Sequence, residues 1–127
     1  MPTAVDGPPV PSTRPGLWRI TDRRSFDELR RRGRRSRRGC LTVTFVPPAP
    51  DAPDTPPRAG FAVGRRVGGA VVRNRVRRRL RAGLRQLVAD GALPPGTYLV
   101  GATAEAARLP WPDLMAQLAE AVAEASR

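Results

Sequence analysis

The sequence predicts a small α/β two-layer sandwich in the order helix, two or three strands, helix, strand, helix. Three observations carry that expectation. The 127 residues suffice for one domain with a modest core. Residues 41–46 and 58–66 alternate side-chain character with the period of a strand. Residues 70–89 and 111–125 place apolar side chains at helical spacing.

Residues 1–16 carry Pro2, Pro8, Pro9, Pro11 and Pro15 without periodic apolar positions, and read as a disordered tail before a single domain at 17–125. A helix is expected from Thr21 to Arg32, because Thr21 or Asp22 can cap it, Phe26 and Leu29 share a face, and Gly33 stops it. The basic run 34–38 fits a short edge strand. Cys40–Val46 follows as a strand, with Leu41, Val43 and Phe45 on one face and Thr42, Thr44 and Val46 on the other. Residues 47–57 hold six of the 15 prolines and form an extended loop.

A second strand is expected over Arg58–Arg66. Ala59, Phe61 and Val63 face one way, and Gly60, Ala62 and Gly64 leave the other face nearly bare, as where something approaches closely. Gly68-Gly69 precedes the longest helix, Ala70–Ala89, whose apolar side holds Val72, Val76, Leu80, Leu84, Leu87 and Val88. Asn74, Arg78, Arg81 and Arg85 lie roughly opposite, with Arg75 and Arg79 at an edge of the apolar stripe. Pro94-Pro95-Gly96 makes a turn into a buried strand at Tyr98–Ala102. The last helix, Trp111–Ala125, turns Leu114, Met115, Leu118 and Val122 inward. The strand–helix–strand unit at 58–102 would by the general rule cross over right-handed.

Charge narrows the function. All 23 basic residues are arginine, against 11 acids, a net of +12. Residues 14–85 hold 21 of those arginines and five acids, a net of +16. A field this localised favours a polyanion, and arginine's planar fork suits phosphate. The arginines of the long helix have almost no acidic neighbours one turn away, so a polyanion neutralises them better than the chain does. With no histidine and a single cysteine, Cys40, a disulfide framework, a Cys/His zinc site and Ser-His-Asp catalysis are excluded. Asp22, Asp27 and Glu28 are the acids of the structured basic half, too few and too close to arginines for a Mg²⁺-dependent protein nuclease. Gly64–Arg75 lacks both the Gly-Lys-Ser/Thr ending of a nucleotide loop and the dinucleotide glycine spacing. Trp18, Trp111 and Cys40 read as packing residues. No apolar run approaches the roughly 20 residues of a membrane span, and no basic-then-apolar signal opens the chain, so a soluble cytoplasmic protein with no membrane partner is expected.

The segment from Arg58 to Arg81 resembles the signature of the protein component of bacterial ribonuclease P. It has the glycine-containing strand Ala59-Gly60-Phe61, the basic pair Arg65-Arg66, the glycines Gly68-Gly69, and the helix opening Arg73-Asn74-Arg75. Phe26–Gly33 is similar to that family's first helix and Tyr98–Ala102 to its last strand. The resemblance implies an αβββαβα sandwich, ribosomal-protein-like, with a left-handed βαβ crossover in place of the right-handed one. It implies a protein subunit that binds a catalytic RNA subunit, one copy per RNA, and helps remove the 5′ leader of precursor tRNA. The active site and its Mg²⁺ would belong mainly to the RNA and the substrate. By the same resemblance Arg65, Arg66, Arg73, Asn74, Arg75, Arg77, Arg78 and Arg81 contact the RNA subunit, while Phe26, Arg30, Thr44 and Ala62 form the leader-binding cleft. Arg30 stands where many members carry a second aromatic, Thr44 at a frequent tyrosine and Thr103 at a common arginine. Such a cleft would hold its strand more by charge than by stacking. The runner-up reading of the residues is a basic ribosomal or chromosomal binding protein with no part in catalysis, and a third, a self-sufficient nuclease, is disfavoured by the acid inventory.

Overall fold

The computed structural model describes residues 16–51 and 55–127. Of the tail at 1–16 only Gly16 is among them, and residues 52–54 of the proline-rich loop lie outside. Strands β1 (Trp18–Arg19), β2 (Arg34–Arg38), β3 (Leu41–Val46), β4 (Arg58–Ala62) and β5 (Thr97–Ala102) form one sheet in the order β1-β4-β5-β3-β2. Helices α1 (Arg23–Arg32), α2 (Ala70–Ala89) and α3 (Trp111–Ala125) complete the mixed α/β fold. β1, β4 and β5 run parallel to one another, and β3 is antiparallel to both β5 and β2.

The layers follow from side-chain alternation. Leu41, Val43 and Phe45 of β3, Tyr98 and Val100 of β5, and Ala59 of β4 point to one face. There they meet Val76, Leu80, Leu84 and Leu87 of α2 and Leu114, Leu118 and Val122 of α3, forming the main core. Tyr98 is fully buried in it, and its hydroxyl donates to the Pro94 carbonyl at 2.6 Å. That burial pushes the phenol pKa up. At Gly83 of α2 an added Cβ would lie 2.7 Å from Leu118 Cδ2, so a side chain there would force α2 and α3 apart. The other sheet face carries a smaller cluster, Ile20, Leu29 and Val46 with Leu99, beneath α1.

The termini of α1 match their sequence signals. Asp22 caps its start by accepting the Ser25 backbone N–H at 3.0 Å and the Ser25 hydroxyl at 2.9 Å. Ser25 and Leu29, one turn apart, are its buried positions. The β2–β3 hairpin turns on Gly39, whose φ of 58° few other residues adopt readily.

One strand boundary and one strand differ materially from the sequence reading. The strand expected to reach Arg66 ends at Ala62, and Arg65–Val67 is a 3₁₀ turn. Ala62 pairs with Gly101, one residue before β5 ends at Ala102, so β4 runs out with its partner. β1 was not anticipated. Its two residues are held by the Trp18 N–H donating to the Pro57 carbonyl at 2.9 Å and the Ile20 N–H to the Ala59 carbonyl at 3.1 Å. Trp18, read as a packing residue, is half exposed on this edge.

Candidate nucleic-acid interface

The register defines a cleft on the α1 face. One row across the sheet is Arg35, Thr44, Leu99, Gly60, and the next is Arg37, Thr42, Gly101, Ala62. α1 covers the Val46–Leu99 end and leaves the second row open, with Ala62 exposed and Thr42 half-buried. The bare position on β4 has an occupant: a Cβ at Gly60 would lie 3.2 Å from the Phe26 ring, which rests there 37% exposed at the cleft wall. Thr44 is half-buried beside Gly33. Arg30 is exposed one turn beyond Phe26 and forms an ion pair with Asp27. Phe26, Thr44 and Ala62 thus share the cleft, and Arg30 sits on the helix above it.

Sequence reading missed Thr42, Gly101, Arg35 and Arg37. The signal was the alternation of β2. Arg34 donates to the Arg127 carbonyl at 2.7 Å, Ser36 to the Ala121 carbonyl at 2.6 Å, and Arg38 pairs with Glu124, all toward α3. Arg35 and Arg37 therefore point to the cleft face, and neither has an ion pair among the described residues.

α2 carries the second basic surface. Arg73, Arg77, Arg81 and Arg85, spaced by four, form a ridge along one flank. Arg77 donates to the Val63 carbonyl at 3.3 Å and to Asn74 Oδ1 at 3.1 Å, and the Arg81 guanidinium lies 5.4 Å from the Phe61 ring centre. Arg73 Nε is buried without a hydrogen-bond partner among the described residues. On the other flank Arg79 donates to the Ala106 and Leu109 carbonyls at 2.7 and 2.6 Å and lies over Trp111 at 5.9 Å. Arg79 is therefore a clamp between α2 and the turn before α3. Its neighbours Arg75 and Arg78, like Asn74, are exposed, and both arginines border a shallow depression of about 300 Å³ against Trp111.

Arg65 and Arg66 are exposed just ahead of α2, whose cap, Gly69, offers no side-chain acceptor and whose first turn holds no acid. The positive end of the helix thus adds to the arginines in attracting anions. None of the α2 arginines belongs to an ion pair among the described residues.

The acids that form ion pairs among the described residues do so away from α2. Asp22 pairs with Arg58 at 3.4 Å, and Ser25's hydrogen bond, followed by its backbone N–H and the Arg58 charge, holds the Asp22 carboxyl below the usual carboxylate range. Glu28 meets Arg32 at 3.5 Å. Burial pushes the Cys40 thiol pKa up, away from reactivity. Among the described residues no group of three or more His, Cys, Asp or Glu could hold a metal ion, and no helix is long and apolar enough to cross a membrane.

Comparison with known proteins identifies the family and the fold. A family profile for ribonuclease P matches residues 15–126. The ribonuclease P protein component of Thermobifida fusca is 47% identical over 114 residues, which cover 86% of this chain and 76% of that one. The corresponding protein of Clavibacter michiganensis is 38% identical over 113 residues, covering 86% and 93%. The RNase P protein of Thermotoga maritima superposes with a TM-score of 0.70 at 22% identity, over 84% of this chain and 96% of that one. That of Staphylococcus aureus gives 0.69 at 21% over 87% and 95%. The two solved structures show the same fold, and the family match spans nearly the whole described domain: the chain belongs to the ribonuclease P protein family.

Proposed function

We propose that this chain is the RNA-holding, non-catalytic subunit of a ribonucleoprotein that cuts the 5′ leader from precursor tRNA in the cytoplasm. The observation that carries the proposal is the separation of two basic surfaces. The unpaired arginines of α2 lie on one side of the sheet, and the open cleft beside Phe26, flanked by Arg35 and Arg37, lies on the other. A protein with two such faces can grip a folded RNA with the first and guide a single strand with the second. Arg65, Arg66, Arg73, Asn74, Arg75, Arg77, Arg78 and Arg81 serve the RNA subunit. Phe26, Thr44 and Ala62 serve the leader, with Arg30 at the helix above.

The chain offers no carboxylate cage among its described residues, so the Mg²⁺ ions are assigned to the RNA subunit and the substrate phosphates. The chain's part is to place the leader and to neutralise phosphate repulsion as the two RNAs approach. Family membership sets aside the reading as a general ribosomal or chromosomal binder.

The test is leader removal from precursor tRNA at low Mg²⁺ by the cognate RNA subunit, with and without the protein. Stimulation is expected. No stimulation would overturn the proposal, and cleavage without the RNA subunit would return the chemistry to the protein. Replacing Arg73, Arg75 and Arg78 by Ala should weaken binding to the RNA subunit and flatten its salt dependence, by about one counterion for each phosphate no longer neutralised. Phe26→Ala should impair substrates with long leaders more than leaderless ones.

A further inference from the structure

A cavity of about 350 Å³ lies between β1 and α2, on the sheet face opposite the Phe26 cleft. The register places Arg19 beside Ala59, so its side chain emerges on the α2 side of the sheet. Arg81 and Arg85, one turn apart on α2, close the other wall, and Leu17, Ala59 and Phe61 form an apolar floor. Among the described residues no acid lines the cavity. Arg19, Arg81 and Arg85 have no ion pair among the described residues. The Phe61 ring covers one face of the Arg81 guanidinium, which keeps its N–H edges free for an acceptor.

Three arginines from two elements thus line one apolar-floored basin, and none of them has an ion pair among the described residues. The space equals roughly ten water molecules, more than a lone phosphate group fills. We propose that this basin is a phosphodiester site that takes an unpaired nucleotide of the RNA subunit. The phosphate meets the three arginines, and the sugar and base lie over the Leu17–Phe61 floor. The basin continues the Arg73–Arg77–Arg81–Arg85 ridge and faces away from the cleft, which assigns it to the RNA subunit and not to the leader. It adds Arg19 and Arg85 to the binding surface. The proposal rests on the RNA-subunit reading above.

The experiment compares two double variants of the full chain for binding to the RNA subunit across a salt series. Arg19→Ala with Arg85→Ala spares the Arg81–Phe61 contact, and Arg75→Ala with Arg78→Ala serves as comparator on the far flank. The basin pair should lose about tenfold in affinity, the order expected for charge-assisted contacts to phosphate at a partly open site. Its salt slope should fall by about 0.7 for each single-strand phosphate no longer held. In addition, an iron chelate tethered at Arg19→Cys, with Cys40 protected by burial, should cut the RNA subunit within one unpaired segment. Wild-type affinity and slope for the basin pair, with a weakened comparator, would overturn the basin and leave the RNA-subunit reading standing. If both pairs bind as wild type, that reading falls as well. Chelate cuts in the leader instead of the RNA subunit would overturn the assignment of the occupant.

Discussion

Gly101 offers a test of the cleft that leaves the arginines untouched. It is buried between Thr42 and Ala62, and a Cβ built there would lie 2.7 Å from Thr42 Oγ1, 3.7 Å from the Ala62 carbonyl oxygen and 3.9 Å from Ala62 Cβ. Gly101→Val must therefore displace the Thr42 side chain, and its methyl groups add to the same floor. The fold should tolerate this, because Thr42 is only half-buried and can rotate toward solvent. Overpacking of this kind costs about 1–3 kcal/mol of stability, and the open side of the cleft favours the lower end. A strand lying on a raised floor is held away from it at one base or more, at a cost of about 1–3 kcal/mol, or roughly 5- to 150-fold in affinity. The assay is fluorescence anisotropy of the assembled ribonucleoprotein with precursor tRNA, comparing a long leader with a single-nucleotide one. The long-leader substrate should lose the affinity, and the short one should bind as to wild type. Gly101→Ala, which moves Thr42 without filling the cleft, should fall between. Equal weakening for both leaders would refute the placement of the strand on this floor.

Three further outcomes are expected. Leu118→Ala, at a fully buried contact between α3 and Gly83 of α2, should cost about 2–5 kcal/mol in denaturant unfolding, and a loss below about 1 kcal/mol would show that the site collapses freely. Asp22 has a lowered pKa in the folded chain, so its contribution to stability is present above the unfolded carboxylate pKa and disappears as pH falls through the folded value. The wild-type melting temperature should accordingly drop further than that of Asp22→Asn between about pH 5 and about pH 2, whereas parallel curves would remove Asp22 from the balance. Sulfate should raise the melting temperature above that in chloride at equal ionic strength, by roughly 4–8 °C if about 1 kcal/mol of arginine repulsion is relieved. A flat response would mean that the arginines are already screened.

Long periodic elements were legible and short tertiary ones were not. α2 begins and ends where the apolar stripe and Gly68-Gly69 place it, and α3 follows Pro110, because a 3.6-residue period over four or five turns fixes a helix locally. β1 has two residues, too few for any period, and exists because Pro57 and Ala59 present carbonyls to it. That strand brings Arg19 to the α2 basin, so the basin was invisible in the sequence even though Arg81 and Arg85 were not. Arg75 and Arg79 look alike on a helical wheel, at the same edge of the apolar stripe. Only the turn at Ala104–Ala107, and the carbonyls it exposes around Leu109, makes one a clamp and leaves the other exposed. Arg35 and Arg37 became separable from Arg34 and Arg38 once Ser36 was seen buried against α3.

The placement of the few acids determines which arginines stay without an ion pair, and so which are open to the proposed RNA partner. Asp22, Asp27 and Glu28 hold Arg58, Arg30 and Arg32 around α1, and Glu120 and Glu124 hold Arg38 and Arg127 along the β2–α3 seam. Among the described residues none of these five pairs with an arginine of α2, of the turn before it, or of the cleft side of β2, the surfaces assigned above to the proposed partners. Leaving them unpaired is cheap. Like charges one turn apart cost a helix about 0.2–0.5 kcal/mol per pair, so the three pairs along the Arg73–Arg85 ridge cost on the order of 1 kcal/mol. Burying one leucine side chain in the main core offsets that. The domain can therefore fold with its arginines exposed. Relief of their mutual repulsion is too small to drive RNA binding. Counterion release from the RNA must supply most of the affinity, and each arginine removed from α2 should act first on the salt slope.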